Sequence, residues 1–128
     1  MDNFEGKKLT AVLNKYAELP EYSEMGAPSI NTKSLFGNYP INIAAARGLL
    51  NEVMTLLSHG ADVNAAGEHH YTPLHDAIEQ GHIEVVKYLL THGANPLSKT
   101  DYGDTPSQLA KKLKENEIFE FIHLYEAQ

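Results

Sequence analysis

The stretch Ser58-His59-Gly60-Ala61-Asp62 returns 33 residues later as Thr91-His92-Gly93-Ala94-Asn95. The same spacing brings further residues into register, namely Pro40, Pro73 and Pro106, then Ala44, Ala77 and Ala110, and finally Gly48 and Gly81. A fixed period of this length is typical of proteins in which small structural units stack on one another. The sequence therefore predicts a repeat protein.

The central repeat reads as two short helices. Thr72 has the side chain of an N-cap, and Pro73 suits the first helical position because its fixed φ favours a helix and its missing N–H costs nothing there. Gly81 ends this helix after about two turns. A second helix follows His82, with an apolar stripe at helical spacing, and Gly93 ends it in a backbone conformation that other residues rarely adopt. The stripes of the two helices are Leu74, Ala77 and Ile78, then Ile83, Val86, Leu89 and Leu90.

Thr72, Pro73, Leu74 and His75 form the tetrapeptide that opens each unit of the ankyrin repeat, and residues 30–126 follow this pattern. The chain therefore resembles the ankyrin-repeat family. This resemblance implies an all-α solenoid of about three helix-turn-helix units, with hairpin loops over 63–71 and 97–104 and capping helices at the ends. It also implies a binding scaffold without chemistry of its own.

We expect one domain over residues 1–128. Residues 1–29 would form an amino-terminal capping helix and a link, residues 30–62 and 63–95 the first two units, and residues 96–128 a third, capping unit. Solenoid ends need atypical units because a bare end would expose apolar surface. The predicted core faces of the two ends are Leu9, Val12, Leu13 and Tyr16, then Leu109, Leu113, Ile118, Phe119 and Ile122.

Two departures from the ankyrin pattern matter. The first unit has Tyr39 and Asn42 where the motif has threonine and histidine, so the motif assures neither its N-cap nor its hydrogen bond between units. His70 stands where the flanking units have Gly37 and Gly103. Either His70 takes a positive φ at some cost in strain, or the central hairpin is rebuilt.

Composition excludes several classes of protein. The 128 residues contain no cysteine, which excludes disulfides, a thiolate nucleophile and a cysteine zinc site. No signal peptide or membrane-spanning segment is visible, so we expect a cytoplasmic protein. The net charge is −7, and residues 60–110 hold seven acids against Lys87 and Lys99. An acidic middle repels nucleic acid and suits a basic protein surface, although such acids also serve simply to keep a small domain soluble.

No residue pattern in the chain indicates catalysis, a cofactor or a metal. There is no phosphate-binding glycine loop, no His-Glu-x-x-His helix and no Gly-x-Ser-x-Gly elbow. His75 belongs to the repeat motif and is expected to hydrogen-bond within and between units. His69 and His70 are adjacent, generally point apart and lack a third ligand, so surface recognition by His69, or mere exposure, is the better interpretation.

The resemblance places a binding face on the hairpin tips and first helices. Carried over position by position, the partner-binding residues are Leu35, Phe36, Asn38, Arg47, Glu68, His69, Tyr71, Glu79, Gln80, Asp101, Tyr102, Asp104 and Lys112. Aromatic anchors inside a polar rim are typical of interface hot spots. An alternative for Leu35 and Phe36 is burial under the link over 20–34.

The leading hypothesis is a non-catalytic module, monomeric on its own, that binds one protein partner with a basic surface. It would act as an inhibitor, in the manner of an immunity protein that neutralises a toxin or enzyme. One alternative is a self-associating assembly subunit, and another is a cryptic enzyme whose site is assembled from loops.

Overall fold

The computed structural model describes residues 4–127, and these form helices and loops without a strand. The α-helices in this range are α1 (Phe4–Tyr16), α2 (Pro40–Ala46), α3 (Leu50–Ser58), α4 (Pro73–Glu79), α5 (Ile83–Thr91), α6 (Pro106–Lys112) and α7 (Asn116–Glu126). Two 3-10 turns, Pro20–Tyr22 and Glu68–His70, lie in the connections. The predicted all-α architecture is confirmed.

The helices stack in two layers. The first helices of the pairs, α2, α4 and α6, pack against one another, and α3, α5 and α7 pack alongside them as a second layer. Ala44, Ala77 and Ala110 are fully buried where the first helices meet. A methyl side chain at each of these positions lets neighbouring helices approach closely, which explains why alanine recurs there.

The first unit lacks the threonine cap but keeps the bond between units. Thr72 and Thr105 each accept a backbone N–H with the side-chain oxygen, at 3.3 and 3.2 Å, whereas no side-chain oxygen caps α2. Asn42 supplies the remaining half of the cap, because its Oδ1 accepts the N–H of Tyr39 at 3.0 Å. Its Nδ2 donates to the carbonyl of Ala65 at 2.9 Å and so joins the first unit to the second.

Neighbouring units make close contacts at Gly48 and at its equivalent in the next unit, Gly81. The ring of His82 packs so tightly on Gly48 that a Cβ there would lie 2.5 Å from its Nδ1, and Nε2 donates to the carbonyl of Ala46 at 3.0 Å. Glu115 packs on Gly81 in the same way, with 3.2 Å from its Oε1 to a hypothetical Cβ. Lys114 takes the next equivalent position with φ +60°. Lys114 is exposed, and no further repeat within residues 4–127 packs on this position.

The amino-terminal segment covers the start of the stack as predicted. Helix α1 packs on α3, and Val12 and Tyr16 are buried between them. The Tyr16 hydroxyl donates to Oε1 of Glu52 at 2.7 Å. Burial of the ring, and to a smaller extent the hydrogen bond to Glu52, raises the pKa of Tyr16 far above its usual range.

The segment after α1 is more than a link. Tyr22 is fully buried, and its hydroxyl lies 2.8 Å from the carbonyl oxygens of both Thr32 and Asn38. The Ser34 hydroxyl donates to the Glu21 carboxylate at the base of the first hairpin. Tyr22 thus fixes the first hairpin from the side on which it has no preceding repeat.

The carboxyl-terminal core face is confirmed except at one residue. Leu109, Ile118 and Ile122 are buried, and Phe119 packs partly against the core. Leu113, predicted in this face, is 42% exposed. The prediction was wrong there because α6 ends at Lys112, so that Leu113 is its C-cap and leaves the helical stripe.

Candidate protein-binding face

Three hairpin loops stand side by side along one edge of the stack. The tips are connected to one another as well, since Asp101 N–H donates to the His69 carbonyl at 3.0 Å and Glu68 N–H donates to Oδ1 of Asn38 at 3.0 Å. These bonds hold the tips as a continuous row. Each loop is closed by the same backbone bond, from Ser34 to Asn38 (2.8 Å), from Gly67 to Tyr71 (2.8 Å) and from Thr100 to Asp104 (3.0 Å).

The central tip keeps the backbone bonds of its neighbours and takes a positive φ at His70. The N–H of His70 donates to the carbonyl of Gly67, as those of Gly37 and Gly103 donate to the carbonyls of Ser34 and Thr100. The φ of His70 is +62°, so the first alternative, positive φ, is confirmed, and His69 adds a second positive φ of +56° within the 3-10 turn. Positive φ at two consecutive non-glycine residues stores backbone strain. The bond from Asp101 to the His69 carbonyl helps to hold the turn in this conformation.

Aromatic rings repeat along the row of tips. Phe36, His69 and Tyr102 occupy equivalent positions, one period apart. Phe36 is 58% exposed and Tyr102 63%, and the rings of His69 and Tyr102 lie 5.5 Å apart. Leu35, next to Phe36, is 61% exposed, so the segment over 20–34 covers neither residue. The structure therefore decides between the two alternatives for Leu35 and Phe36 in favour of exposure.

A small cavity of about 210 Å³ opens beside the central tip. Tyr71 forms one wall, is half-buried, and donates its hydroxyl to Oε2 of Glu79 at 3.0 Å. Burial, together with this carboxylate acceptor, raises the pKa of Tyr71 to about 12. The lining combines aromatic rings with carboxylates and comprises Asn38, Glu68, His69, Tyr71, Asp76, Glu79 and Tyr102.

Asp76 is a site residue that the sequence argument missed. It stands in register with Ile43 and Leu109, both buried apolar residues, and this departure was the available signal. Burial raises the pKa of Asp76, a hydrogen bond from Asn42 Nδ2 at 3.1 Å lowers it, and the nearby Glu79 and Glu68 raise it, with a net value of about 8.

The other predicted residues lie around this cavity rather than in it. Arg47 borders a separate cavity of about 300 Å³ together with Asn42 and Asp76. Lys112 pairs with Asp104 at 2.8 Å, so that acid is already neutralised. Of the thirteen predicted residues, the structure brings six around one cavity and leaves seven outside its lining. The seven are Leu35, Phe36, Arg47, Gln80, Asp101, Asp104 and Lys112.

The histidines of the repeat motif serve the fold. Nε2 of His75 donates to the Asp104 carbonyl at 3.0 Å, and burial lowers the pKa of this ring. His59 and His92 place Nδ1 at 2.8 Å from helix carbonyls one turn earlier. Within residues 4–127 no three histidines, aspartates or glutamates are placed to hold a metal ion, and no helix there has the length and apolar character needed to span a membrane.

Comparison with known proteins gives a family. Residues 9–100 match the sequence model for ankyrin repeats (3 copies). The chain belongs to the ankyrin-repeat family. It is also similar to the tyrosine-protein kinase Shark of Drosophila melanogaster, with 34% identity over 97 residues, which make up 75% of this chain and 10% of the kinase. The chain thus corresponds to about a tenth of that relative. Ankyrin repeats are protein–protein interaction modules and typically non-catalytic.

Proposed function

We propose that this ankyrin domain is a non-catalytic module that binds one protein partner with a basic surface through its hairpin tips and first helices. By occupying that partner it acts as an inhibitor, of the kind represented by an immunity protein that neutralises a cognate toxin or enzyme. The observation that carries the proposal is the row of aromatic side chains, Phe36, His69 and Tyr102, held in register at the tips.

The surroundings of this row support a basic partner. Glu68, Glu79 and Asp101 are exposed beside the aromatic rings, and among residues 4–127 no lysine or arginine forms an ion pair with any of them. Exposed carboxylates around aromatic anchors favour a cationic surface through steering and through discrimination against wrong partners. The aromatic rings supply the apolar contact area that such an interface needs at its centre.

Affinity capture with a matched pair of variants tests the proposal. Phe36→Ala with Tyr102→Ala removes two exposed rings from the tips. The control, Met54→Ala with Leu124→Ala, removes exposed apolar side chains from α3 and α7, which belong to the second layer. We expect wild type and the control variant to retain the same basic protein and the tip variant to lose it. Loss from both variants, or from neither, would contradict the proposed face.

The inhibitory role has its own test once the partner is purified. Its activity should fall as the ankyrin domain is added and recover when the tip variant replaces wild type. Raising the salt concentration should weaken the complex mainly through slower association, because the steering charges are exposed. If the partner is bound but stays fully active, the domain is a binding module and the proposed inhibitory role is wrong. A mass that rises with concentration in sedimentation would instead support the self-associating subunit.

A further inference from the structure

The small cavity beside the central tip has the composition of a subsite for one side chain. Its volume of about 210 Å³ is below the roughly 300–1,000 Å³ of a site for a whole small molecule. His69 and Tyr102 stand together at 5.5 Å, and Tyr71 forms another wall. A cavity with aromatic walls and several carboxylates is suited to a cation that also has a flat or apolar surface.

We propose that this cavity receives one arginine side chain of the protein partner, with the guanidinium against its aromatic walls and within reach of Glu68 and Glu79. The inference rests on the proposed function and names the group that the partner presents. Two independent features of the cavity support it, namely the aromatic walls and the negative charge.

No lysine or arginine of residues 4–127 forms an ion pair with the carboxylates that line the cavity. The lysine ion pairs of residues 4–127 are Lys15 with Glu52, Lys87 with Glu84 and Lys112 with Asp104, and none of these acids lines the cavity. The nearest charge partner of Glu68 is His69 Nε2 at 3.5 Å, a group that is charged only when protonated. The environment of Asp76 also favours its neutral form. An incoming cation would offset the repulsion among these carboxyl groups.

Arginine fits this lining better than lysine. A guanidinium is planar, stacks on aromatic faces and donates through a fork that matches a carboxylate, whereas an ammonium is compact and strongly hydrated. Tyr71 already orients Glu79 through its hydroxyl, which leaves the other carboxylate oxygen for an incoming donor. A bare metal ion is disfavoured because the described residues place no three ligands together.

Titration with single amino-acid derivatives tests the inference without the partner. N-acetyl-arginine methylamide, the lysine analogue and the neutral citrulline analogue are added to labelled protein while backbone amide signals are followed by NMR. We expect arginine to shift the amides of residues 68–71 and 101–102 in a saturable way, with a dissociation constant on the order of millimolar. Citrulline should shift none of them, and lysine should bind more weakly than arginine.

Variants establish whether the cavity is responsible. Glu68→Gln with Glu79→Gln keeps the shape and removes two charges, and we expect at least about a fivefold loss of arginine affinity. Glu117→Gln, an exposed change on α7, serves as the control and should leave the affinity unchanged. Equal binding of citrulline or lysine, shifts spread over the surface, or unchanged affinity in the double variant would overturn the inference. If partner capture still depends on Phe36 and Tyr102 in that case, the proposed function survives and only the arginine subsite fails.

Discussion

Asn42 and His75 occupy equivalent positions on α2 and α4 and make the same two connections. Asn42 Oδ1 accepts the N–H of Tyr39 at 3.0 Å, and His75 Nδ1 accepts the N–H of Thr72 at 3.2 Å. Asn42 Nδ2 then donates to the carbonyl of Tyr71 at 3.2 Å, and His75 Nε2 to the carbonyl of Asp104, the counterpart of Tyr71, at 3.0 Å. The carbonyl of Asp104 can only accept, so Nε2 of His75 carries a proton, and the N–H of Thr72 can only donate, so Nδ1 carries none. The imidazole is therefore neutral.

This equivalence predicts that asparagine can replace His75 in part. In His75→Asn the shorter amide would reach the carbonyl of Ser98, which is the counterpart of Ala65 and already lies close to the ring. We expect His75→Ala to lower the free energy of unfolding by about 2–4 kcal/mol, through a cavity and unsatisfied backbone groups, and His75→Asn by roughly half as much. Urea denaturation measures both. Equal losses would show that ring packing, not the hydrogen bonds, holds the units together.

The neutral His75 also makes the fold sensitive to acid. Burial lowers its pKa below the ordinary value of 6.5, so the unfolded chain binds the proton more readily. The stabilising contribution is present above pH 6.5 and is lost as the pH falls through the lowered pKa. We expect the slope of stability against pH below 6.5 to be smaller in His75→Asn. Identical slopes, measured by urea denaturation across this range, would assign the acid sensitivity to other groups.

Asp76 acts in the opposite pH range. Its folded pKa of about 8 is above its ordinary value of 3.8, so its contribution is most favourable below pH 3.8 and is lost as the pH rises towards 8. Asp76→Asn keeps an oxygen to accept from Asn42 and removes the charge. We expect the variant to be more stable than wild type by at least about 2 kcal/mol at pH 9 and nearly equal to it at pH 4. A constant difference at both pH values would contradict the raised pKa.

Substituting Gly48 and Gly103 separates the cost of tight packing between units from the cost of backbone strain. Gly48 and Gly103 both have positive φ, +71° and +82°, but a Cβ at Gly103 would meet open space while one at Gly48 would strike the His82 ring. We expect Gly103→Ala to cost about 1 kcal/mol for the conformation alone. Gly48→Ala should cost roughly 1–3 kcal/mol more because of overpacking. Similar losses in thermal unfolding would mean that His82 moves aside freely.

The sequence predicted what repeats and missed what occurs once. The period of 33 residues located the helix pairs, and the apolar stripe of α1 located Val12 and Tyr16 in the core. Tyr22 and Asp76 escaped because each depends on a contact that the repeat does not encode. Tyr22 binds a hairpin 16 residues away, and Asp76 replaces an apolar residue under the tips. Leu113 was misplaced for another reason: it is the C-cap of α6, as Arg47 and Gln80 are of α2 and α4, so the repeat itself puts it outside the apolar stripe. The thirteen predicted binding residues stay a prediction until binding is measured.

Tyr22→Phe and Tyr102→Phe remove the same hydroxyl oxygen, in one case from a buried ring and in the other from an exposed ring. In Tyr22→Phe the carbonyls of Thr32 and Asn38 lose the hydroxyl that holds the first hairpin, and we expect a loss of about 1–3 kcal/mol in the free energy of unfolding. Tyr102→Phe removes a hydroxyl from a largely exposed side chain and should leave the melting temperature nearly unchanged. Hydrogen exchange should also become faster at the backbone amides of Ser34 and Asn38 in the first variant, because their protection depends on the fixed hairpin. Unchanged stability and exchange in Tyr22→Phe would mean that the hairpin keeps its conformation without the Tyr22 hydroxyl.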